Sequence, residues 1–218
     1  MSYMVNLNLE GRAALVVGGG EIATRKAEDL LLAKASVTVV APILCPAMEA
    51  LTATRRVDAH VRPYRDGDIG DSFVVIAATD DVAVNTAVFQ EATRRNVLVN
   101  VVDVPALCTF TVPATVHRGD LTIAIATEGR SPAFSGILRE ELEGRYGPEF
   151  GTLVQLFGDL RKKMIALGWK GQAIRQKLRE IYRDGIVGVI ANGDAQAMRE
   201  FLAARLPAEF QHPGGLPE

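Results

Sequence analysis

The sequence predicts an α/β fold with a parallel sheet in its first half and a helical second half. Four short runs are rich in β-branched residues and lack polar alternation, as expected for strands covered on both faces; they lie at 12–17, 36–41, 73–78 and 97–102. Between them are stretches with apolar residues at helical spacing, at 21–34, 45–55 and 81–95. Strands that alternate with helices are joined by right-handed crossovers, which produce a parallel sheet.

The pattern changes after residue 105. A weaker fifth strand is predicted at 56–61, whereas TFTVPATV and DLTIAIAT are two strands with no helix between them. From Pro132 onward most of the chain has helical spacing, and 149–168 carries one apolar stripe. The sequence therefore predicts three parts, at 1–112, 113–147 and 148–218, with a frayed tail over 208–218.

Composition favours a soluble globular protein without a metal site. Hydrophobic residues make up 48% of the 218 residues and charged residues 23%. The first residues lack a basic start followed by an apolar stretch, so we expect no secretory signal and a cytoplasmic location. Cys45 and Cys108 are far apart and are expected to be buried free thiols. The net charge of −2 predicts neither a nucleic-acid nor a membrane partner.

A glycine-rich loop joins the first predicted strand to the first predicted helix. In VVGGGEIATRKA (16–27), Gly18, Gly20 and Ala23 have the G-x-G-x-x-(G/A) spacing. Such glycines allow a tight turn, and they let backbone N–H groups approach a pyrophosphate at the positive end of a helix. The loop predicts a Rossmann-like domain that binds a dinucleotide; the alternative is a tight turn without a ligand.

The end of the second strand bears on the choice of dinucleotide. The usual acidic contact to the adenosine ribose is missing, because Ala41, Pro42 and Ile43 occupy its place. No arginine is present there to hold a 2′-phosphate. We therefore expect NAD rather than NADP, with adenosine held by backbone and apolar contacts.

The ends of two further strands supply more cofactor candidates. Thr79 and Asp80 end one strand, and Asn100 and Val101 lie at the end of another. The carboxyl ends of parallel strands meet at one edge, so these residues are predicted to converge on the cofactor. Alternatively, Asp80 and Asp81 cap the next helix.

Asp103 stands out because it follows a buried strand, at the edge where a nicotinamide would lie. Its apolar neighbours Val102 and Val104 should disfavour the charged carboxylate, which would suit proton transfer near neutral pH. The competing interpretation is a turn or Asx cap before Pro105.

The segment 161–183 carries a strong local positive charge. Glu180 is its only acidic residue, against eight basic ones: Arg161, Lys162, Lys163, Lys170, Arg175, Lys177, Arg179 and Arg183. The segment either faces an anion or is an ordinary solvated helix face.

Several motifs together resemble the precorrin-2 dehydrogenase family, the NAD-dependent module of siroheme synthases. In order they are VVGGGEIATRKA, AATDD, NVVDVP, FTVPA and TEGRSPAFSGILREELE. The resemblance covers about 7–146 and continues more weakly to about 205. It implies oxidation of precorrin-2 to sirohydrochlorin by NAD⁺ in a homodimer, with 113–147 as a dimerisation and substrate-cleft element. Methylation of the precursor is expected to occur elsewhere.

The resemblance also assigns site residues. It implies that Asp103 is the catalytic residue, and that Glu21, Ile22, Pro42 and Ile43 contact the cofactor together with the NVV segment. Precorrin-2 carries many carboxylates, which predicts a basic substrate site. The candidates are Arg118, Arg130, Lys162, Lys163 and Ser131, the last of which is also a predicted helix cap.

Two questions stay open at the level of sequence. Some relatives also insert Fe²⁺ into sirohydrochlorin, and this step needs a base for the pyrrole protons rather than a resident metal site. The rival functional class is a non-catalytic Rossmann module that senses NAD or another nucleotide. The sensor would need the glycine loop but no acid at the strand end.

Overall fold

The computed structural model describes residues 3–210, apart from the side chain of Ala208. The chain forms two compact units, Met1–Val112 and Pro113–Glu218. The sequence-based domain boundary after residue 112 stays a prediction. The further boundary after residue 147 stays a prediction.

The first unit contains a five-stranded parallel sheet, as the sequence predicts. Its strands are β1 (Ala13–Val17), β2 (Ser36–Ala41), β3 (Asp58–Val61), β4 (Val74–Ala77) and β5 (Leu98–Val101). The helices of this unit are α1 (Glu21–Leu32), α2 (Pro46–Ala53) and α3 (Val82–Arg94). The strand order is β3-β2-β1-β4-β5. The predicted α/β Rossmann-like fold is confirmed, including the weaker fifth strand.

Both faces of the sheet are covered, which explains the unbroken apolar runs. Alternate residues of a strand point to opposite faces. Val16 therefore lies in a core with Val39 and Met48, whereas Leu15 lies in a second core with Val75 and other residues. Parallel sheets enclosed in this way have apolar strands without polar alternation.

The carboxyl ends of the central strands lie together at one edge. Val17 of β1 is paired with Val40 of β2 and with Ala77 of β4, and Ala77 is paired with Val101 of β5. The chain first runs outward from β1 to β3 and then returns to build β4 and β5 on the other side. The order of the strands thus switches between β1 and β4, where folds of this class bind ligands.

As far as residue 210, the second unit combines a hairpin with five α-helices and a short 3-10 helix. Strands β6 (Ala114–Arg118) and β7 (Leu121–Ile125) are antiparallel. The helices are α4 (Pro132–Arg145), α5 (Glu149–Ala166), α6 (Gly171–Arg183), α7 (Ile186–Ala191) and α8 (Ala195–Ala203). Their core includes Leu153, Leu160 and Ile181. Within residues 3–210, no helix is both long and apolar enough to cross a bilayer.

The predicted frayed tail is wrong for its first residues. Ala208–Phe210 is a turn of 3-10 helix, and Phe210 is fully buried. Its ring meets Trp169 edge to face, with 6.2 Å between the ring centroids. The prediction fails here because Phe210 completes the apolar core of the second unit. The rest of the predicted tail, 211–218, lies outside the described residues.

The loop between β3 and β4 is held by an ion pair. Arg62 donates two hydrogen bonds to the carboxylate of Asp68, each 2.7 Å long. Asp68 also accepts from the backbone N–H of Arg65 at 2.8 Å. The hydrogen bonds from Arg62 lower the pKa of the Asp68 carboxyl.

This ion pair predicts a pH-dependent contribution to stability. Because the pKa of Asp68 is lowered in the folded state, its stabilisation is complete above the usual aspartate value of about 4 and disappears as the pH falls further. We expect Asp68→Asn to lower the free energy of unfolding by about 1 kcal/mol at pH 7. Urea unfolding between pH 3 and 8 should show the two proteins converging at the acidic end.

Asp66→Asn is the matched control. Asp66 lies in the same loop, but its ion pair with Arg94 is exposed, so the loss should stay below about 0.5 kcal/mol. A cost of Asp68→Asn that is equal at pH 3 and pH 7 would contradict the electrostatic explanation.

Candidate cofactor site

A cavity of about 610 Å³ lies at the carboxyl edge of the sheet in the first unit. It is formed by the segments that follow β1, β2, β3 and β4. Among its lining residues are six of the sequence-predicted cofactor contacts: Gly18, Gly20, Glu21, Ile22, Pro42 and Ile43. Thr79 and Asp80 line it as well. The structure thus brings together eight of the eleven predicted cofactor residues.

Two glycines of the loop are required by close backbone contacts. Gly18 has φ +129°, and a Cβ atom there would lie 2.2 Å from the carbonyl oxygen of Ala78. A Cβ at Gly19 would lie 2.1 Å from the carbonyl oxygen of Ile43. Neither position tolerates a side chain, because the loop after β1 passes directly against the segments after β4 and β2.

Gly20 is different, because its missing side chain leaves open space. A Cβ there would have no neighbour within 4 Å, and Gly20 lines the cavity. It is also the N-cap of α1 and provides no side-chain cap. The first N–H groups of a helix have no acceptor within the helix. Open space beside uncapped N–H groups fits the pyrophosphate of a dinucleotide.

Ala23 does not line the cavity. It is fully buried in the core formed by one face of the sheet with α1 and α2. This is the packing role of the last position of the glycine motif, where a small residue lets the helix approach the strands. The structure thus gives Ala23 a packing role, and its direct contact with the cofactor stays a prediction.

The segment after β2 gives the cavity an apolar wall. Ile43 is exposed and lines the cavity beside Pro42. As the sequence indicates, neither an acid nor an arginine follows β2 at this point.

The segment after β4 is held by a side chain that sequence reasoning missed. Asn85 of α3 is buried; its Oδ1 accepts from the Thr79 hydroxyl at 2.9 Å, and its Nδ2 donates to the Thr79 carbonyl at 2.9 Å. Asp81 caps α3 by accepting from the N–H groups of Ala83 and Val84, whereas Asp80 is exposed on the cavity wall. The sequence did contain a signal for this role, because Asn85 is a polar residue next to Val84 on the apolar face of the predicted helix.

Asn100 and Val101 do not line the cavity. The Asn100 amide donates to the carbonyl of Phe110 at 3.0 Å, and Val101 is buried inside the sheet. The segment 108–110 lies along β5 and uses these groups. Asn100 and Val101 thus tie β5 to the following segment, and their contact with the cofactor stays a prediction.

Asp103 lies in a turn just beyond β5. Val104 N–H donates to Val101 C=O at 3.2 Å across the turn, and Asp103 has φ +60°. Such a backbone is rare for non-glycine residues, although aspartate adopts it more readily than most. The carboxylate is exposed, so the apolar surroundings expected from the sequence are absent in the single chain. The backbone at Asp103 therefore has the turn conformation that was the competing interpretation of the sequence.

The Cys108 thiol stabilises the turn that carries Asp103. Its sulfur accepts from the N–H of Val101 at 3.3 Å and can donate to the carbonyls of Val101 and Val104, at 3.2 and 3.3 Å. Burial raises the pKa of the Cys108 thiol, which favours the protonated donor form. Both cysteines are free, as expected, but they are only partly buried.

One predicted substrate residue has a structural role in the second unit. The Arg118 guanidinium donates to three backbone carbonyls, those of His117, Glu143 and Tyr146, at 2.7–3.0 Å. The last two belong to the C-terminal end of α4, where a cation is favourable. Arg118 thus supports the fold of the second unit, and its role as a substrate contact stays a prediction.

The other predicted substrate residues have varied environments. Ser131 occupies the N-cap of α4, but its side chain makes no capping bond, so the predicted side-chain cap is wrong. Arg130 is exposed. Lys162 is exposed beside Asp159 at 3.2 Å, whereas the Lys163 ammonium lies over the ring of Phe210, 5.1 Å from its centroid. The two lysines therefore have different partners.

No group of three potential metal-ligating side chains occurs among residues 3–210.

Comparisons with known proteins agree with this geometry. The NAD(P)-binding family model NAD_binding_7 matches residues 5–114, and the "Sirohaem biosynthesis protein central" model matches residues 118–145. The solved structure of SirC, a precorrin-2 dehydrogenase, is 30% identical with a TM-score of 0.77. The match covers 93% of this chain and 98% of SirC. The chain belongs to the precorrin-2 dehydrogenase family.

Longer relatives contain the same region. Siroheme synthase 1 of Klebsiella pneumoniae is 45% identical over 206 residues, which is 94% of this chain and 44% of the relative. The siroheme synthase of Pseudoalteromonas translucida is 36% identical over 98% of this chain and 46% of its own length. This precorrin-2 dehydrogenase family member thus spans less than half of those relatives. Its first unit is the NAD-binding domain.

The open space at Gly20 predicts that NAD binding and stability can be separated. Serine is at least as good an N-cap as glycine, so Gly20→Ser should leave the free energy of unfolding within about 0.5 kcal/mol. Its side chain would occupy the space that fits the pyrophosphate, and we expect the affinity for NAD⁺ to fall at least ~10-fold, or ~1.4 kcal/mol. Calorimetric titration and urea unfolding measure the two quantities.

Gly158→Ser is the control, because Gly158 also faces open space but belongs to α5. It should leave NAD⁺ affinity unchanged. Full NAD⁺ affinity in Gly20→Ser would contradict the position assigned to the pyrophosphate.

Proposed function

We propose that this chain oxidises precorrin-2 to sirohydrochlorin, with NAD⁺ as the oxidant. The supporting observation is a cavity of about 610 Å³ that the glycine loop lines at the strand-order switch, in a chain that matches nearly the whole length of SirC. The siroheme synthase relatives support the same metabolic role. The family match also favours the enzyme over the non-catalytic NAD sensor.

The chain contributes binding and proton handling to this reaction. NAD⁺, when bound, would act as the acceptor of a hydride from the reduced macrocycle. The uncapped start of α1 binds the pyrophosphate. The two hydrogen bonds between Asn85 and Thr79 hold the segment after β4 at the cavity wall. Oxidation by hydride loss also releases a proton, and Asp103 is proposed to accept it.

The turn geometry supports this role for Asp103. Its left-handed backbone would suit glycine better, and such strain persists where the surroundings enforce it. Cys108 and the N–H of Val104 fix the turn from both sides. An exposed carboxylate on a fixed turn is available to a substrate that arrives from solution.

Substrate recognition is proposed to use basic groups of the second unit. Arg130 and Lys162 are exposed and can meet carboxylates of precorrin-2, while the Ser131 hydroxyl is not used as a helix cap. Lys163 is a weaker candidate, since its ammonium lies over Phe210. These contacts would be charge-assisted and multiple, as a polycarboxylate requires.

Three finer assignments belong to the same proposal. We propose a cytoplasmic homodimer, for which the exposed apolar residues Phe134 and Ile137 on one face of α4 supply an interface. Contiguous exposed apolar surface commonly marks such contacts. Ferrous iron is a proposed second substrate, with Asp103 again able to accept protons from the macrocycle.

The direct test is an anaerobic incubation of the purified protein with precorrin-2 and NAD⁺, followed by absorbance. We expect NAD⁺-dependent formation of sirohydrochlorin together with NADH. Fe²⁺ is then added, and siroheme formation faster than in a protein-free control would establish iron insertion. If a known dehydrogenase converts the same substrate and this chain does not, the proposal is wrong, and tight NAD⁺ binding would then favour the sensor.

Two substitutions at Asp103 separate chemistry from strain. Asp103→Asn keeps the shape of the side chain but removes the base, so kcat should fall at least ~100-fold while NAD⁺ affinity stays unchanged. Asp103→Gly should lose as much activity but gain up to about 1 kcal/mol in stability by relieving the left-handed backbone. Steady-state kinetics, NAD⁺ titration and thermal unfolding provide the readouts.

Asp71→Asn serves as the control and should keep normal turnover, since Asp71 is also exposed in a turn but does not line the cavity. Wild-type turnover in Asp103→Asn would contradict the role of Asp103 as proton acceptor. It would not affect the assignment of the NAD site.

A further inference from the structure

The cavity has a fourth wall that the glycine motif does not account for. Pro63 and Tyr64, which follow β3, line it. Strand β3 is paired with β2 so that Val61 lies opposite Ala41. The loop after β3 therefore begins beside the end of β2, where folds of this class hold the adenosine of a dinucleotide.

Tyr64 is tied to a buried carboxylate on α3. Its hydroxyl donates a short hydrogen bond to Oε2 of Glu91, and the same oxygen accepts from the N–H of Gly67 at 2.9 Å. Glu91 is only 2% exposed. Its other oxygen lies 4.0 Å from the Arg95 guanidinium and accepts no hydrogen bond from the residues that the structure describes.

The loop is fixed to α3 at further points. Asp66 pairs with Arg94 at 2.6 Å, and Arg95 donates to the carbonyl of Gly70 at 2.8 Å. Burial, together with the hydrogen bond to Glu91, raises the pKa of the Tyr64 phenol, so the hydroxyl remains a donor at neutral pH. The tyrosine is therefore held in one orientation at the cavity wall.

The buried carboxylate of Glu91 carries a large desolvation cost if its only role is to stabilise a loop. Removing a carboxylate from water costs several kcal/mol, and an apolar pair of similar volume would pack without that cost. Unlike an apolar contact, the hydrogen bond from Tyr64 to Glu91 is directional, so it fixes the orientation of the tyrosine ring. The segment after β2 leaves this end of the cavity without a charged ribose contact, and an aromatic ring can stack on a base, with about 1–3 kcal/mol per base.

We propose that Tyr64 packs against the adenosine half of NAD and that Glu91 is the positioning residue that fixes it there. The inference rests on the proposed function only in taking NAD as the ligand. It assigns adenosine affinity to an aromatic contact after β3, in place of the missing acid after β2.

The test compares the two halves of the cofactor in binding experiments. The affinities of NAD⁺, AMP and nicotinamide mononucleotide are measured by displacement of NADH, followed by its fluorescence. Tyr64→Ala should weaken AMP and NAD⁺ by the same factor, about 10-fold, which corresponds to the stacking energies above. Binding of nicotinamide mononucleotide should not change.

The Glu91 claim is tested with conservative variants. Tyr64→Phe keeps the ring but loses its anchor, and AMP should bind about 3-fold more weakly, a change of ~0.6 kcal/mol that fits one lost hydrogen bond. Glu91→Gln keeps an acceptor for the hydroxyl and should stay within ~2-fold of the unsubstituted protein, a change below ~0.5 kcal/mol. Asp71→Asn removes an exposed charge from the same loop outside the cavity wall and should leave every affinity unchanged.

Each outcome decides the proposal. Unchanged AMP affinity in Tyr64→Ala, or equal losses for AMP and nicotinamide mononucleotide, would overturn the adenosine contact. Unchanged AMP affinity in Tyr64→Phe would overturn the positioning role of Glu91. If NAD⁺ binding follows this pattern but precorrin-2 is not oxidised, the proposed dehydrogenase activity is contradicted, whereas the adenosine contact is supported.

Discussion

The structure of the site depends on backbone segments that approach more closely than any side chain permits. Gly18 lies against the carbonyl of Ala78, and Gly19 lies against the carbonyl of Ile43. These contacts hold the loop after β1 between the segments that follow β4 and β2. The N-cap of α1 is the open Gly20, and the first residues of the helix, Glu21 and Ile22, line the cavity. The pairing of the parallel strands brings their ends to one edge, and these contacts fit the glycine loop between two of them.

Polar side chains with defined hydrogen-bond partners then fix the remaining strand ends. Asn85 closes a ring of two hydrogen bonds with Thr79, Cys108 holds the turn of Asp103, and Glu91 holds the loop of Tyr64. Each of these groups is at least partly buried and belongs to a segment that packs against the sheet. Such supports keep functional side chains in place before a ligand arrives, which lowers the cost of binding.

The sequence predicted the parts of the fold that depend on local patterns. Apolar runs located all five strands, and the glycine spacing located the cofactor loop, because both signals lie within a few residues. Pairings across the chain gave no such signal: Tyr64 and Glu91 are 27 positions apart, and Arg118 reaches the end of α4. The exposure of Asp103 also escaped prediction, since apolar neighbours in sequence do not surround a side chain that projects from a turn.

The most direct test of the account is an NMR titration of isotope-labelled protein with NAD⁺. Saturable amide shifts are expected at Gly20, Glu21 and Ile22, at Ile43, and at Thr79–Asp81, all of which line the cavity. A second surface depression of the first unit, near Arg55, Arg56 and Asp58, should show no shifts. Shifts confined to that depression, or no saturable shift at the glycine loop, would contradict the assignment of the cofactor site on which the proposed chemistry rests.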